Sequence, residues 1–182
     1  MPANSFILFG TADVPTGESP QAARPGSKGW IEITDWSWDV EAEHSNLKGT
    51  GAAVGVATPG TFSFSHTFDK SSPTIMSNIV MGTSFTTATV HMLKSTGADD
   101  GKPEVYFGIK MGDCFVCKVS SKGGEDGAIS QDVEFVFKSI SIGYKQQTND
   151  GKLGNIMPFG WNIATKQTTG VPVTATLDPS SD

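Results

Sequence analysis

A mainly β domain with one short helix, closed as a small barrel or sandwich, is predicted by three observations. The first is strict alternation: in Thr61 to Phe68, Phe62, Phe64 and Phe68 share one parity with His66, while Thr61, Ser63, Ser65 and Thr67 take the other. That period belongs to a strand with one buried face. The second is a single bounded helical pattern. Ser71-Ser72-Pro73 offers a capping hydroxyl and a proline at the first helical position, Ile75, Met76, Ile79 and Val80 form a stripe at helical spacing, and Gly82 stops it, which predicts a helix over about residues 73–81. The third is that threonine-rich alternation resumes at once from Phe85 to Leu93 and recurs in about eight segments along the 182 residues. Chains of this length and pattern form one domain, here residues 1–182.

The remaining elements follow in order. Phe6 to Phe9 is a short apolar strand, and Gly10 to Gly29, with Pro15, Pro20 and Pro25, is an ordered surface excursion. Trp30 to Val40 holds Ile31 and Ile33 on one parity and Trp36, Trp38 and Val40 on the other, so a bulge is expected near Thr34 and Asp35. Glu41 to Gly60 is rich in Gly, Ala and Thr, has neither period, and reads as a long projecting loop. Val105 to Met111 and Cys114 to Val119 are expected to form a hairpin about Gly112-Asp113. Val133 to Tyr144 reads as one long strand whose apolar parity swaps between Phe137 and Ile140. After a polar break from Gln146 to Gly154 the chain returns through Pro158-Phe159-Gly160-Trp161-Asn162-Ile163 to a last short strand, and Lys166 to Asp182 reads as a mobile tail, or one that orders only against a neighbour.

Composition narrows the function. Hydrophobic residues at 37% and charged residues at 18% describe an ordinary soluble domain, with no 18-residue apolar run of the kind that spans a bilayer. A net charge of -6 with 13 Lys and Arg opposes a sequence-independent grip on nucleic acid. Met1 to Gly10 lacks a basic region ahead of an apolar stretch, so no conventional signal peptide is expected.

No catalytic, cofactor or metal residues emerge from the motifs. Cys114 and Cys117 have the CxxC spacing of a redox pair or half a zinc site, but strand residues three apart point to opposite faces, roughly 10 Å apart at the α-carbons. They read as small core or interface side chains, and a redox role would need them at a helix start. His66 and His91 fall on strands where a cross-strand pair is conceivable, against a plain packing role. Trp30, Trp36, Trp38 and Trp161 read as a core cluster. The alternative, a monomeric carbohydrate-binding sandwich, needs Trp36 or Trp161 exposed beside polar groups. Asp99-Asp100-Gly101 and Asp126-Gly127 read as turns, lacking the alternating acidic ligands of a calcium loop.

Four motifs in register carry a family resemblance: Gly17-Glu18-Ser19 ahead of a strand, Gly29-Trp30-Ile31-Glu32-Ile33 running into Trp36-Ser37-Trp38, Phe68-Asp69-Lys70-Ser71-Ser72-Pro73 opening the helix, and the closing Gly160-Trp161-Asn162-Ile163. Over roughly residues 5 to 165 the chain resembles the haemolysin co-regulated protein (Hcp) family of the bacterial type VI secretion system. The resemblance implies a two-sheet β-barrel with one helix, forming homohexameric rings that stack into a tube fired with a spike protein and carrying effectors in its lumen. It implies the sheath and baseplate as further partners, no enzymatic activity and no cofactor. It also implies residence in the bacterial cytoplasm before firing, then secretion without a signal peptide. On this reading the loop Glu41 to Gly60 contacts the next subunit or ring, with Leu47, Lys48, Val54 and Val56 as candidate contact residues; the plain alternative is a solvated loop. Two departures from the family pattern stand out: a longer segment around Gly17-Glu18-Ser19 and a tail beyond Ile163.

Overall fold

A computed structural model describes residues 4–10, 17–19, 29–44, 54–95 and 103–168. In chain order these form β1 (Ser5–Gly10), β2 (Ile31–Ser37), β3 (Val40–His44), β4 (Val54–Pro59), β5 (Phe62–Thr67), α1 (Ser72–Met81), β6 (Ser84–Ser95), β7 (Pro103–Gly123), β8 (Ile129–Val136), β9 (Ser139–Gln147) and β10 (Leu153–Asn162). The fold is mainly β with one short helix, as the alternation predicts. Eight strands run in the order β10-β9-β7-β6-β1-β2-β5-β8, and a further pairing of β7 with β8 closes six of them into a barrel. Closure leaves β9 and β10 as a wing attached to β7, and β3 and β4 as a separate two-stranded ribbon.

The barrel and the wing share β7. Along one edge it pairs with β6 from Pro103 to Phe115. On the other edge it pairs with β9 through Phe107 to Gly112, then with β8 from Phe115 to Gly123. The expected hairpin at Gly112-Asp113 is therefore a kink in one 21-residue strand. Asp113 takes φ 51, a left-handed conformation that Asp tolerates better than most residues. Turns and bulges draw on the same residue types, so the local sequence could not separate them. The long strand expected from Val133 to Tyr144 divides at the same corner. It ends as β8, passes Phe137 and Lys138, and restarts as β9, with the Lys138 N–H donating to Gly112 O at 2.9 Å. The parity swap marks a change of partner along β7.

The bulge expected near Thr34 is present: Ile33 pairs with His66 and Asp35 with Ser65, leaving Thr34 over. Its hydroxyl donates to Ser65 O at 3.1 Å. The loop expected over Glu41 to Gly60 is instead a ribbon where described, with Glu41 opposite Thr58 and Ala42 opposite Ala57. Main-chain pairing supplies the order that the Gly, Ala and Thr content did not signal.

Helix α1 ends as expected at Gly82, which takes φ 66. Its start differs. Ser71 occupies the N-cap position without a side-chain capping bond, because its hydroxyl donates to Asp69 Oδ1, while Ser72 Oγ accepts from the Asp69 N–H at 3.1 Å. The expected apolar stripe is only partly used: Ile75 is fully buried, while Met76 and Val80 are exposed. Ile79 is half-buried, so only one stripe residue is fully in the core.

The core is aromatic. Phe9 lies 4.5 Å from Phe85, 5.9 Å from Phe135 and 6.1 Å from Phe64 between ring centroids, and Phe62 lies 5.1 Å from Phe135. Ile7, Ile31, Ile75, Val90, Ile109 and Ile140 fill around the rings. A second cluster joins Phe6, Trp30, Leu93 and Val105.

Candidate assembly surface

One face of the wing is a ladder of apolar rows. Register places Phe107, Tyr144 and Met157 side by side, then Ile109, Ile142 and Phe159, then Met111, Ile140 and Trp161. The last row is covered by the barrel. Exposure grows toward the first: Phe159 is 43% exposed, Tyr144 39% and Met157 56%. The ribbon borders this face, since Val40, Val56 and Ala57 line a cavity of about 360 Å³ together with Phe159, Trp161, Lys166 and Thr168. Val40 and Val56 are themselves 44% and 63% exposed. Five large apolar side chains thus stand at the wing and ribbon with their faces toward water, where scattered single residues are the usual pattern.

Of the candidate contact residues, Val56 lies on β4 at this surface and Val54 pairs with His44 at the far end of the described ribbon. Leu47 and Lys48 lie outside the described residues. Tyr144, Met157 and Phe159 were not singled out from the sequence. The signal was available: Met157, Phe159 and Trp161 hold one parity of a strand whose other side carries Pro158 and Gly160.

The tryptophans pack on the core but not as the one cluster expected: Trp30 belongs to the second cluster, while Trp161 lies in the main one with the half-buried Trp36 and Trp38 packed against it. Trp30 and Trp161 are buried, and Trp36 is stacked between Phe62 and Phe107 at 5.7 and 5.6 Å. Neither Trp36 nor Trp161 offers the open ring face that a sugar-stacking site requires. His66 and His91 do not meet, because β5 lies between β2 and β8 while β6 lies between β1 and β7. His66 Nε2 faces Gln131 Oε1 at 3.0 Å with its Nδ1 4.0 Å from Asp69 Oδ1, and His91 stacks on Trp30 at 4.9 Å. Among the described residues no group of three or more His, Cys, Asp or Glu could hold a metal, and no helix is long and apolar enough to cross a membrane.

The cysteines occupy opposite faces of β7. Cys114 is buried in the core, and burial followed by the nearby Asp113 charge pushes its thiol up to about 12. Cys117 is exposed beside the bulge between Val116 and Lys118, and its thiol donates to Glu134 O at 3.3 Å. A maleimide at pH 8 is expected to modify one thiol per folded chain, at Cys117, and two after denaturation. Mass spectrometry reads the count, and rapid double labelling of the folded chain would contradict the placement of Cys114.

Gly17-Glu18-Ser19 is a clasp on β2. The Gly17 N–H donates to Gly29 O at 3.0 Å, Ser19 Oγ donates to Glu32 Oε1 at 2.7 Å, and Glu18 Oε1 accepts from the Lys70 N–H at 3.3 Å. A Cβ on Gly17 would stand 2.1 Å from Trp30 O, so only glycine fits this approach. The motif thereby ties β2 to the segment that opens α1.

Residues 9–144 match the family model described as type VI secretion system effector, Hcp. The chain belongs to the Hcp family. That is a family of structural tube proteins of type VI secretion, not of enzymes, and its members are secreted. Three solved structures share the fold. A type six secretion system protein superposes with TM-score 0.79 at 23% identity, covering 91% of this chain and 98% of its own. Hcp1 from Salmonella typhimurium gives 0.71 at 24%, covering 92% and 99%. A type VI secretion system effector from Yersinia pestis gives 0.66 at 22%, covering 87% and 98%. No curated protein matches the chain.

Proposed function

We propose that this chain closes into homohexameric rings that stack as the inner tube of a type VI apparatus, propelled with a spike protein and carrying effectors in the lumen. The observation that carries this reading is the exposed apolar face of the wing, continuous with the ribbon through Phe159 and Val56. A lone subunit gains nothing from leaving such a face in water. A head-to-tail contact repeated around a closed rotation buries it six times over. Within the ring the wing face meets the neighbouring subunit, and the ribbon, with Leu47, Lys48, Val54 and Val56, reaches the next subunit or ring.

The sheath, the baseplate and the secreted effectors are the remaining partners. The subunit waits in the bacterial cytoplasm and leaves by firing, without a signal peptide. A tube subunit works through surfaces, so the role calls for no nucleophile, metal or cofactor.

Light scattering on the purified protein tests the assembly. Six copies of the 19.2 kDa chain give about 115 kDa, and that mass, with rings in negative-stain images of the same fraction, is the expected result. A stable monomer at high concentration would refute it.

A further inference from the structure

We propose that the outward face of α1 is the surface on which the wing of the next copy of this chain docks. This rests on the ring reading above and names the other half of its contact. A head-to-tail contact joins two different patches of one chain, so the wing face needs a second, distinct apolar surface to meet.

Among the described residues, the large apolar side chains that stand exposed fall into two groups. One is the wing and ribbon. The other gathers at α1 and at the strand ends it joins. On the helix itself Val80 is 84% exposed and Met81 72%, with Met76 exposed beside them. At its start the Phe68 N–H donates to Ile129 O at 2.8 Å, and both of these side chains are exposed. Just past its end Ser84 pairs with Phe115, which pairs in turn with Val136, and both apolar members of that row are exposed.

The composition of α1 suits a helix covered on two sides. Its ten residues include no charged side chain, although a helix with one face in water ordinarily carries charge there. Asn78 does not make up the deficit, because its amide donates to Thr74 O at 2.9 Å within the helix. Ile75 goes into the barrel core, and the valine and two methionines are left facing out. Covering that face removes apolar surface from water without stranding a charge.

Reach and charge identify the cover as the wing of another copy. Strand β6 measures the reach: Ser84, three residues past Met81, pairs with Phe115, while Met92 pairs with Phe107 in the row of Tyr144 and Met157. Eight residues of strand separate the two patches by roughly 26 Å, so a subunit cannot lay its wing on its own helix. The charges at the two ends are opposite. A cleft of about 270 Å³ at the start of α1 is lined by Glu18, Glu32 and Asp69 and by no cationic side chain. The cavity beside the wing is lined by Lys166 and by no carboxylate. Such a pattern favours wing on helix over wing on wing or helix on helix.

The test uses two variants of the full chain, each with one patch spoiled. Val80→Glu keeps an intact wing, and Phe159→Glu keeps an intact helix face. By light scattering each alone is expected at the 19.2 kDa of one chain, with thermal unfolding unchanged. Mixed in equal amounts, they should join one intact wing to one intact helix face and stop. The mass should rise with concentration toward about 38 kDa, two copies, and no further. Met81→Glu in place of Val80→Glu should behave in the same way, which covers the case in which the first variant unfolds. Rings that survive both helix substitutions while the unsubstituted chain forms rings would overturn this docking surface and leave the ring reading standing. A mixture that stays at one chain throughout would also overturn it. An unsubstituted chain that never assembles would overturn both.

Discussion

Phe9→Ala is expected to lower the unfolding free energy by about 3–5 kcal/mol, the range for removing a buried aromatic ring. Phe9 is 1% exposed and sits at the meeting point of Phe64, Phe85 and Phe135, which come from three other strands of the barrel. Its loss removes apolar area, forfeits three ring contacts, and leaves a space that strands tied on both edges cannot close. Against a total of roughly 5–15 kcal/mol for a domain, the change is large. Denaturant titration followed by tryptophan emission should show a lower midpoint with an unchanged slope. A loss below about 1 kcal/mol would mean that the aromatic cluster does not hold the barrel together.

Phe159→Glu is expected to abolish rings while leaving the subunit folded. The side chain is 43% exposed in the isolated chain, so a carboxylate there stays hydrated and should change folding stability by about 0.5 kcal/mol or less. In the assembled ring the same carboxylate would be buried without a partner, at about 3–5 kcal/mol for each contact. Since each 1.4 kcal/mol is about a tenfold loss in affinity, a closed ring needing every contact at once should not survive. Light scattering should fall to the 19.2 kDa of one chain. A retained high mass with intact rings would move the interface off the wing. A loss of fold, seen as early thermal unfolding, would show that Phe159 belongs to the core instead.

Local signals in the sequence were reliable where a single element decides the outcome. The parity change at Thr34 locates the bulge because it is written within one strand, and Gly82 ends α1 because its backbone conformation suits a residue without a Cβ. Features that depend on a partner were not legible. Gly112-Asp113 carries the residues of a turn, and only the exchange of β9 for β8 beside β7 shows that the chain runs on. Met76 and Val80 match the helical stripe, yet a stripe does not say how much of a helix will rest on the barrel. The ribbon escaped notice because it is held by main-chain pairing, with charged residues through β3 and small ones through β4. The wing surface was half visible: the alternation at Met157, Phe159 and Trp161 marks an apolar face, but not the point at which the barrel stops covering it.

Because β7 runs without a break from the wing into the barrel, the two cannot swing against each other as bodies on a linker would. A push on the outer strands is carried along a covalent strand laddered to β6 from Pro103 to Phe115. Parting wing from barrel would require many main-chain bonds to shear together instead of opening one by one. In mechanical terms wing and barrel are braced by one shared strand, and a load on the wing would enter the barrel as shear along β7.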